Sequence, residues 1–440
     1  MTNEERKIHY MNRNIKLAPF YLALTWDVIF VWTISTMFFS TQKGLSYTQI
    51  VSLDSILMFA GALMCIPVQR LMQNVKKVLA TRIGVMCYGI YLLLCIFGTH
   101  YISFMVAQIF LALGYVINGV KANLFLTESL SVLKKDKDYE RVYGKGMSLV
   151  YIVECIGAIA ITYIYNWNAY AAYWISFGAV VLAEILMLFL KEPSKYQDRN
   201  VEIASTAQDA TQKPHKSKKP DSYFKIAFSG FFIVLLIYMF FIRGALSIAS
   251  SNYKIYLQQM TDLGVLPVWI FGYLYALSRI SIAISSKYQF KFNLKFGVRS
   301  LLIINSLILI TFLICGITYI VNPTAIWSIV IIVILSCVQG SLRIPTQIFV
   351  NNYMQVCMPH RNLERAYAIR TTVEYMGYAL FSGLYALLLG VLHDSYGVTN
   401  LVYISILAIP IIVMSVIFIR ALVKKHAQKF TIIKEEYTED

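Results

Sequence analysis

Between Lys191 and Ser222 the chain reads KEPSKYQDRNVEIASTAQDATQKPHKSKKPDS, the one long polar interruption in a sequence that is otherwise 58% hydrophobic and only 14% charged. The stretch holds Pro193, Pro214 and Pro220 and shows no apolar period. It therefore predicts a flexible linker. Outward from it in both directions, apolar runs of roughly 20 residues recur, each long enough to cross a bilayer. A soluble domain of this length carries about a quarter charged residues, so the composition excludes one.

The spans fall at about 17–40, 48–69, 76–98, 101–130, 146–166, 170–190, 224–250, 265–287, 298–320, 324–354, 366–391 and 398–421. The expected fold is an all-α polytopic membrane protein with twelve transmembrane helices in two pseudo-symmetric six-helix bundles. Its parts are a tail at 1–16, a first bundle at 17–190, a basic linker at 191–223, a second bundle at 224–421 and a tail at 422–440. The formal net charge of +16 is placed by this topology rather than by a nucleic-acid surface. Arg70, Lys76, Lys77 and Arg82 follow the second span, and Lys134, Lys135, Lys137, Arg141 and Lys145 follow the fourth. The loops on the other side are short and hold only Lys43 and Lys254. Lys and Arg resist translocation, which predicts the cytoplasmic membrane with both termini inside. An even number of spans agrees. The seven cysteines show no paired spacing and read as buried apolar groups, and the six histidines show no metal-ligand spacing. No metal and no cofactor is expected.

The halves repeat weakly. Val153-Glu154-Cys155-Ile156-Gly157 in the fifth span matches Val373-Glu374-Tyr375-Met376-Gly377 in the eleventh. Asn118-Gly119-Val120-Lys121 in the fourth span parallels Gln339-Gly340-Ser341-Leu342-Arg343 in the tenth. Transporters built from two repeats place their substrate between them near the midplane. With this 6+6 plan and basic central loop, the chain resembles the major facilitator superfamily along nearly its whole length. Pro67 to Leu79 keeps Lys76, Lys77 and Leu79 of that family's loop motif, but Leu71 and Asn74 stand at its acid and glycine positions. Gly119 to Leu130, ending Glu128-Ser129-Leu130, is similar to the fourth-span motif of bacterial members. Phe296-Gly297-Val298-Arg299 resembles the second-half echo of the loop motif.

A charge in hydrocarbon costs about 2.5–3.5 kcal/mol on insertion scales, so it normally faces a cavity or a partner. Asn118, Lys121, Phe125 and Glu128 share one helical face, as do Gln339, Arg343 and Gln347. The resemblance sets the first, fourth, seventh and tenth spans around a central cavity. It thereby implies a substrate site of Asp27, Asn118, Lys121, Arg243, Gln339, Arg343 and Gln347. Asp27, Glu128, Glu154 and Glu374 are the candidate proton-coupling carboxylates. Two pseudo-symmetric ion pairs are expected, Lys121–Glu154 and Arg343–Glu374.

The sequence has no phosphate-binding G-x-x-x-x-G-K-[ST] loop and no intramembrane His/Asp or nucleophile–base cluster, so a transporter is expected rather than an enzyme. The expected partners are a small-molecule substrate, a coupling proton (or sodium) and the lipid bilayer. One chain already holds both halves of a path, so a monomer suffices. The reading inclines to proton-coupled export. Uptake of an organic anion or sugar-like solute is the alternative, which Lys121, Arg243 and Arg343 favour, and a lipid or glycan flippase is a third reading.

Overall fold

The computed structural model describes residues 3–25, 30–72, 75–135, 139–193, 222–296, 299–357, 360–393 and 395–436. Every long element among them is helical. In the first half these are α1 (Asn3–Thr25), α2 (Val31–Met37), α3 (Tyr47–Met72), α4 (Lys77–Phe97), α5 (Tyr101–Val132), α6 (Tyr139–Trp167) and α7 (Ala171–Phe189). In the second half, the short α8 (Tyr223–Ala227) precedes α9 (Gly230–Asp262), α10 (Ile270–Phe296) and α11 (Arg299–Val321). Next come α12 (Ile326–Cys357), α13 (His360–Val391) and α14 (Tyr396–Glu436).

Among the described residues, nine helices hold an apolar stretch long enough to span a membrane, and Phe232–Leu246 and Ile270–Ser285 form shorter ones. The first expected span falls in α1, which begins at Asn3, and α2, which begins at Val31, with residues 26–29 outside the described residues; a single π-helical turn, Phe38–Gln42, follows α2. In α9 the apolar run stops early, where Ser250-Ser251-Asn252-Tyr253-Lys254 brings polar residues into the helix. Large apolar side chains such as Phe97, Ile102, Leu182, Ile320, Ile334 and Ile409 are exposed all along these helices. Such a surface is a liability in water and normal against lipid. The protein is a multi-pass membrane protein.

The chain forms two compact units, Met1–Trp32 with Leu63–Pro220, and Thr33–Ala62 with Asp221–Asp440. Within the first unit α4 packs on α5 and α7, and α1 packs on α6. Within the second, α11 packs on α12 and α14, and α9 packs on α13. The same positions in each half thus pair the same way, as the weak repeat in sequence implies. Thr33–Ala62 joins the second unit through Ser55 Oγ, which donates to the Ala379 carbonyl at 2.6 Å, and Tyr47, whose hydroxyl donates to Asp262 at 2.5 Å.

The repeated glycines set the helix spacing inside each unit. A Cβ on Gly377 would run into the backbone of Phe240, so α13 lies directly on α9 there, and a Cβ on Gly244, four residues along α9, would meet Phe381. At the matching position in the first unit, a Cβ on Gly157 would meet the Phe30 ring. A glycine at a crossing removes the side chain that would hold two backbones apart.

Candidate functional site

In the second unit the close crossing of α9 and α13 brings charge together inside the apolar layer. Arg243 lies 13 residues into α9 and Glu374 lies 14 residues into α13. Arg343 lies 14 residues before the end of α12. At 1.5 Å per residue all three stand about 20 Å from the same end of the unit. Glu374 is buried and held by two cations: Arg243 Nε is 3.8 Å from Oε2, and Arg370 Nε, one turn earlier on α13, is 3.2 Å from Oε1. The Arg370 contact is close but poorly aligned for a hydrogen bond, so the attraction there is largely Coulombic. The Arg370 guanidinium also lies over the Tyr367 ring, 5.4 Å from its centroid. Arg343 is exposed and lies within electrostatic reach of Arg243.

This corrects one expected pairing. Glu374 is engaged by Arg243 and Arg370 rather than by Arg343. The physical reason is the Gly377–Phe240 contact, which draws α13 onto α9 and makes Arg243 the near cation. Arg370 stands outside the expected site, although Arg370-Thr371-Thr372-Val373-Glu374 places it at the i,i+4 spacing that favours an ion pair on one helix face. Gln339, one turn along α12 from Arg343, is 1% exposed, and its Nε2 has no hydrogen-bond partner among the described residues.

The first unit handles polarity differently. Asn118 is buried in α5, and its Oδ1 accepts from the Tyr21 hydroxyl at 3.4 Å. Gly84 makes room for it, since a Cβ there would lie 2.6 Å from that same oxygen. Glu154 is 1% exposed. Glu128 sits nearer the helix end and pairs with Lys77 at 2.5 Å. Beside that pair Glu192, from the start of the linker, accepts from the Lys77 and Val78 backbone N–H groups at 3.1 and 3.0 Å and caps α4. Asn14 ties Lys191 down at the same end, donating to its carbonyl at 2.8 Å and accepting from its N–H at 3.0 Å. Asp27 lies outside the described residues, as do the side chains of Lys121 and Gln347, and with Lys121 goes the expected Lys121–Glu154 pair.

The sequence profile described as Major Facilitator Superfamily matches residues 17–382, most of the chain. The chain belongs to the major facilitator superfamily. It is a membrane transporter and not an enzyme. At the level of fold, this superfamily member is similar to the crystal structure of the nucleoside transporter NupG, with a TM-score of 0.68 at 13% identity, covering 93% of this chain and 99% of that one. The crystal structure of a point mutant of NupG gives a TM-score of 0.67 with the same identity and coverage. The crystal structure of a D-xylose-proton symporter matches with a TM-score of 0.63 at 11% identity, over 90% of this chain and 97% of that one. No curated protein matches the sequence.

Proposed function

We propose that this superfamily member takes up a small polar organic solute together with protons, by alternating access, across the cytoplasmic membrane with both termini inside. A monomer is sufficient for the task. The observation that carries the reading is Glu374, a buried carboxylate gripped by Arg243 and Arg370 with Arg343 nearby. Protonation of Glu374 removes the anion that anchors the two arginines. They are then released to a solute, and the α9–α13 contact is free to adjust. Uptake draws more support than the export to which the sequence alone inclines, because the structures of like fold include a proton symporter for D-xylose and a transporter for nucleosides.

The test is transport into proteoliposomes of labelled D-xylose, uridine and D-glucuronate under an inward proton gradient. Accumulation of at least one of them, abolished by a protonophore and indifferent to sodium, is the expected result. Release of preloaded solute driven by that same inward gradient would mean antiport and would refute uptake.

A further inference from the structure

Two guanidinium groups hold Glu374 in the second unit and Arg343 lies within electrostatic reach of one of them, so the described charges of the cluster sum to two positive in excess. Such an excess inside a bilayer is costly unless something balances it. Donors are also left over. Arg243 Nη1, Arg370 Nη1 and Gln339 Nε2 are all buried and have no hydrogen-bond partner among the described residues. Arg370 is 6% exposed and Gln339 1% exposed, so water does not satisfy them easily. A buried donor without an acceptor carries a desolvation penalty. Two such donors belong to arginine, whose planar fork matches the two oxygens of a carboxylate or phosphate. The misaligned Arg370–Glu374 contact leaves that fork free to reorient.

We infer that this cluster is an oxyanion site and that the transported solute carries a carboxylate, sulfonate or phosphate group. The group binds between Arg243 and Arg370, in competition with Glu374, and Gln339 donates from α12. The inference rests on the transport reading above, since it names the charge class of the solute. It also has a simple charge balance. A bound monoanion lowers the cluster's positive excess by one charge, and a proton taken by Glu374 during coupled transport restores it.

The experiment measures binding rather than transport, with the full-length protein in nanodiscs and no gradient. The probes are matched pairs: D-glucuronate against D-glucose, uridine 5′-monophosphate against uridine, and benzoate against benzamide, with inorganic phosphate alone. At least one anion should bind at least tenfold more tightly than its neutral counterpart. Arg370→Met should weaken that anion by about 10- to 100-fold, the scale of a lost charge-assisted hydrogen bond. Glu374→Gln should bind it as tightly as the natural protein or more so, because the competing carboxylate is gone. That second variant, checked for an intact melting transition, guards against a misfolded Arg370→Met. Equal binding of charged and neutral partners, loss of anion binding in a folded Glu374→Gln, or failure of every anion to bind at millimolar concentration would overturn the site. Anion binding without uptake would support the site and remove the uptake reading. Uptake confined to neutral solutes would do the reverse.

Discussion

The crossing at Gly377 offers the most direct test of how the site is built. An added Cβ there would lie 3.1 Å from both the carbonyl carbon and the Cα of Phe240, and closer still to its carbonyl oxygen. These are backbone atoms, so no rotamer change relieves the clash, and α13 must move away from α9. Overpacking of this kind costs about 1–3 kcal/mol. Alanine simultaneously recovers about 1 kcal/mol of helix propensity over glycine. Gly178 is the matched control. It lies inside α7, is exposed, and a Cβ there would meet nothing within 4 Å, so Gly178→Ala receives the propensity gain alone. The two alanine variants should therefore differ in stability by about 1–3 kcal/mol, with Gly377→Ala the weaker. Denaturation of both in one detergent measures the difference. The Arg243–Glu374 contact already stands at 3.8 Å, so a shift of a few tenths of an ångström takes it beyond ion-pair range. Proton-driven uptake should then fall in Gly377→Ala and stay unchanged in Gly178→Ala. If Gly377→Ala is as stable as Gly178→Ala, the close crossing does not set the site and the reasoning fails.

Further outcomes follow from the polar contacts. Glu374→Gln should abolish proton-driven accumulation while leaving solute exchange across the membrane intact, which a counterflow assay separates from net uptake. Asn305→Leu should destabilise the protein by about 1–3 kcal/mol, because it removes the acceptor to which the buried Tyr238 hydroxyl donates at 3.1 Å and the donor to Ser415 Oγ at 2.5 Å; thermal melting reads this. Glu192→Ala should remove the side-chain cap of α4 at a cost of about 0.5–2 kcal/mol, and limited proteolysis should then cut the linker sooner.

The helices are legible in the sequence because hydrocarbon leaves the backbone few alternatives, and a run of apolar residues of the right length reports one directly. The first span is less legible. Hydropathy sets its start near residue 17, yet the helix that carries it, α1, begins at Asn3. At the site, Arg243 and Glu374 stand out as charges within apolar runs, and Gln339 and Arg343 as a polar stripe. Their pairing is not legible. Depth along a helix can be counted from sequence, but the cation that reaches a carboxylate depends on helix rotation and on where two backbones touch. Gly377 against Phe240 decides that, and nothing in either residue alone announces the contact. Arg370 is visible in principle through its i,i+4 spacing to Glu374. It escapes a reading by hydropathy because it lies at the start of the span, where arginines normally face headgroups.

The internal repeat shows where the two units part beside their matching carboxylates. Glu154 and Glu374 occupy matching positions, each followed three residues later by a glycine that sits against an aromatic residue. The glycine position is thus shared between the halves. One turn earlier on each helix the chemistry parts: Arg370 stands four residues before Glu374, whereas Val150, fully buried, stands four residues before Glu154. A single helical turn therefore gives the second unit a cation on the carboxylate's own helix, and the first unit a packed apolar contact. Placing Arg370 on α13 keeps that cation beside Glu374 through any rigid motion of the helix, while Arg243 on α9 can part from it. One of the two cations travels with the carboxylate's helix and the other can part from it as the helices move. The proposed coupling of Glu374 protonation to helix movement rests on that asymmetry, because two contacts from one helix would never report a change in its position.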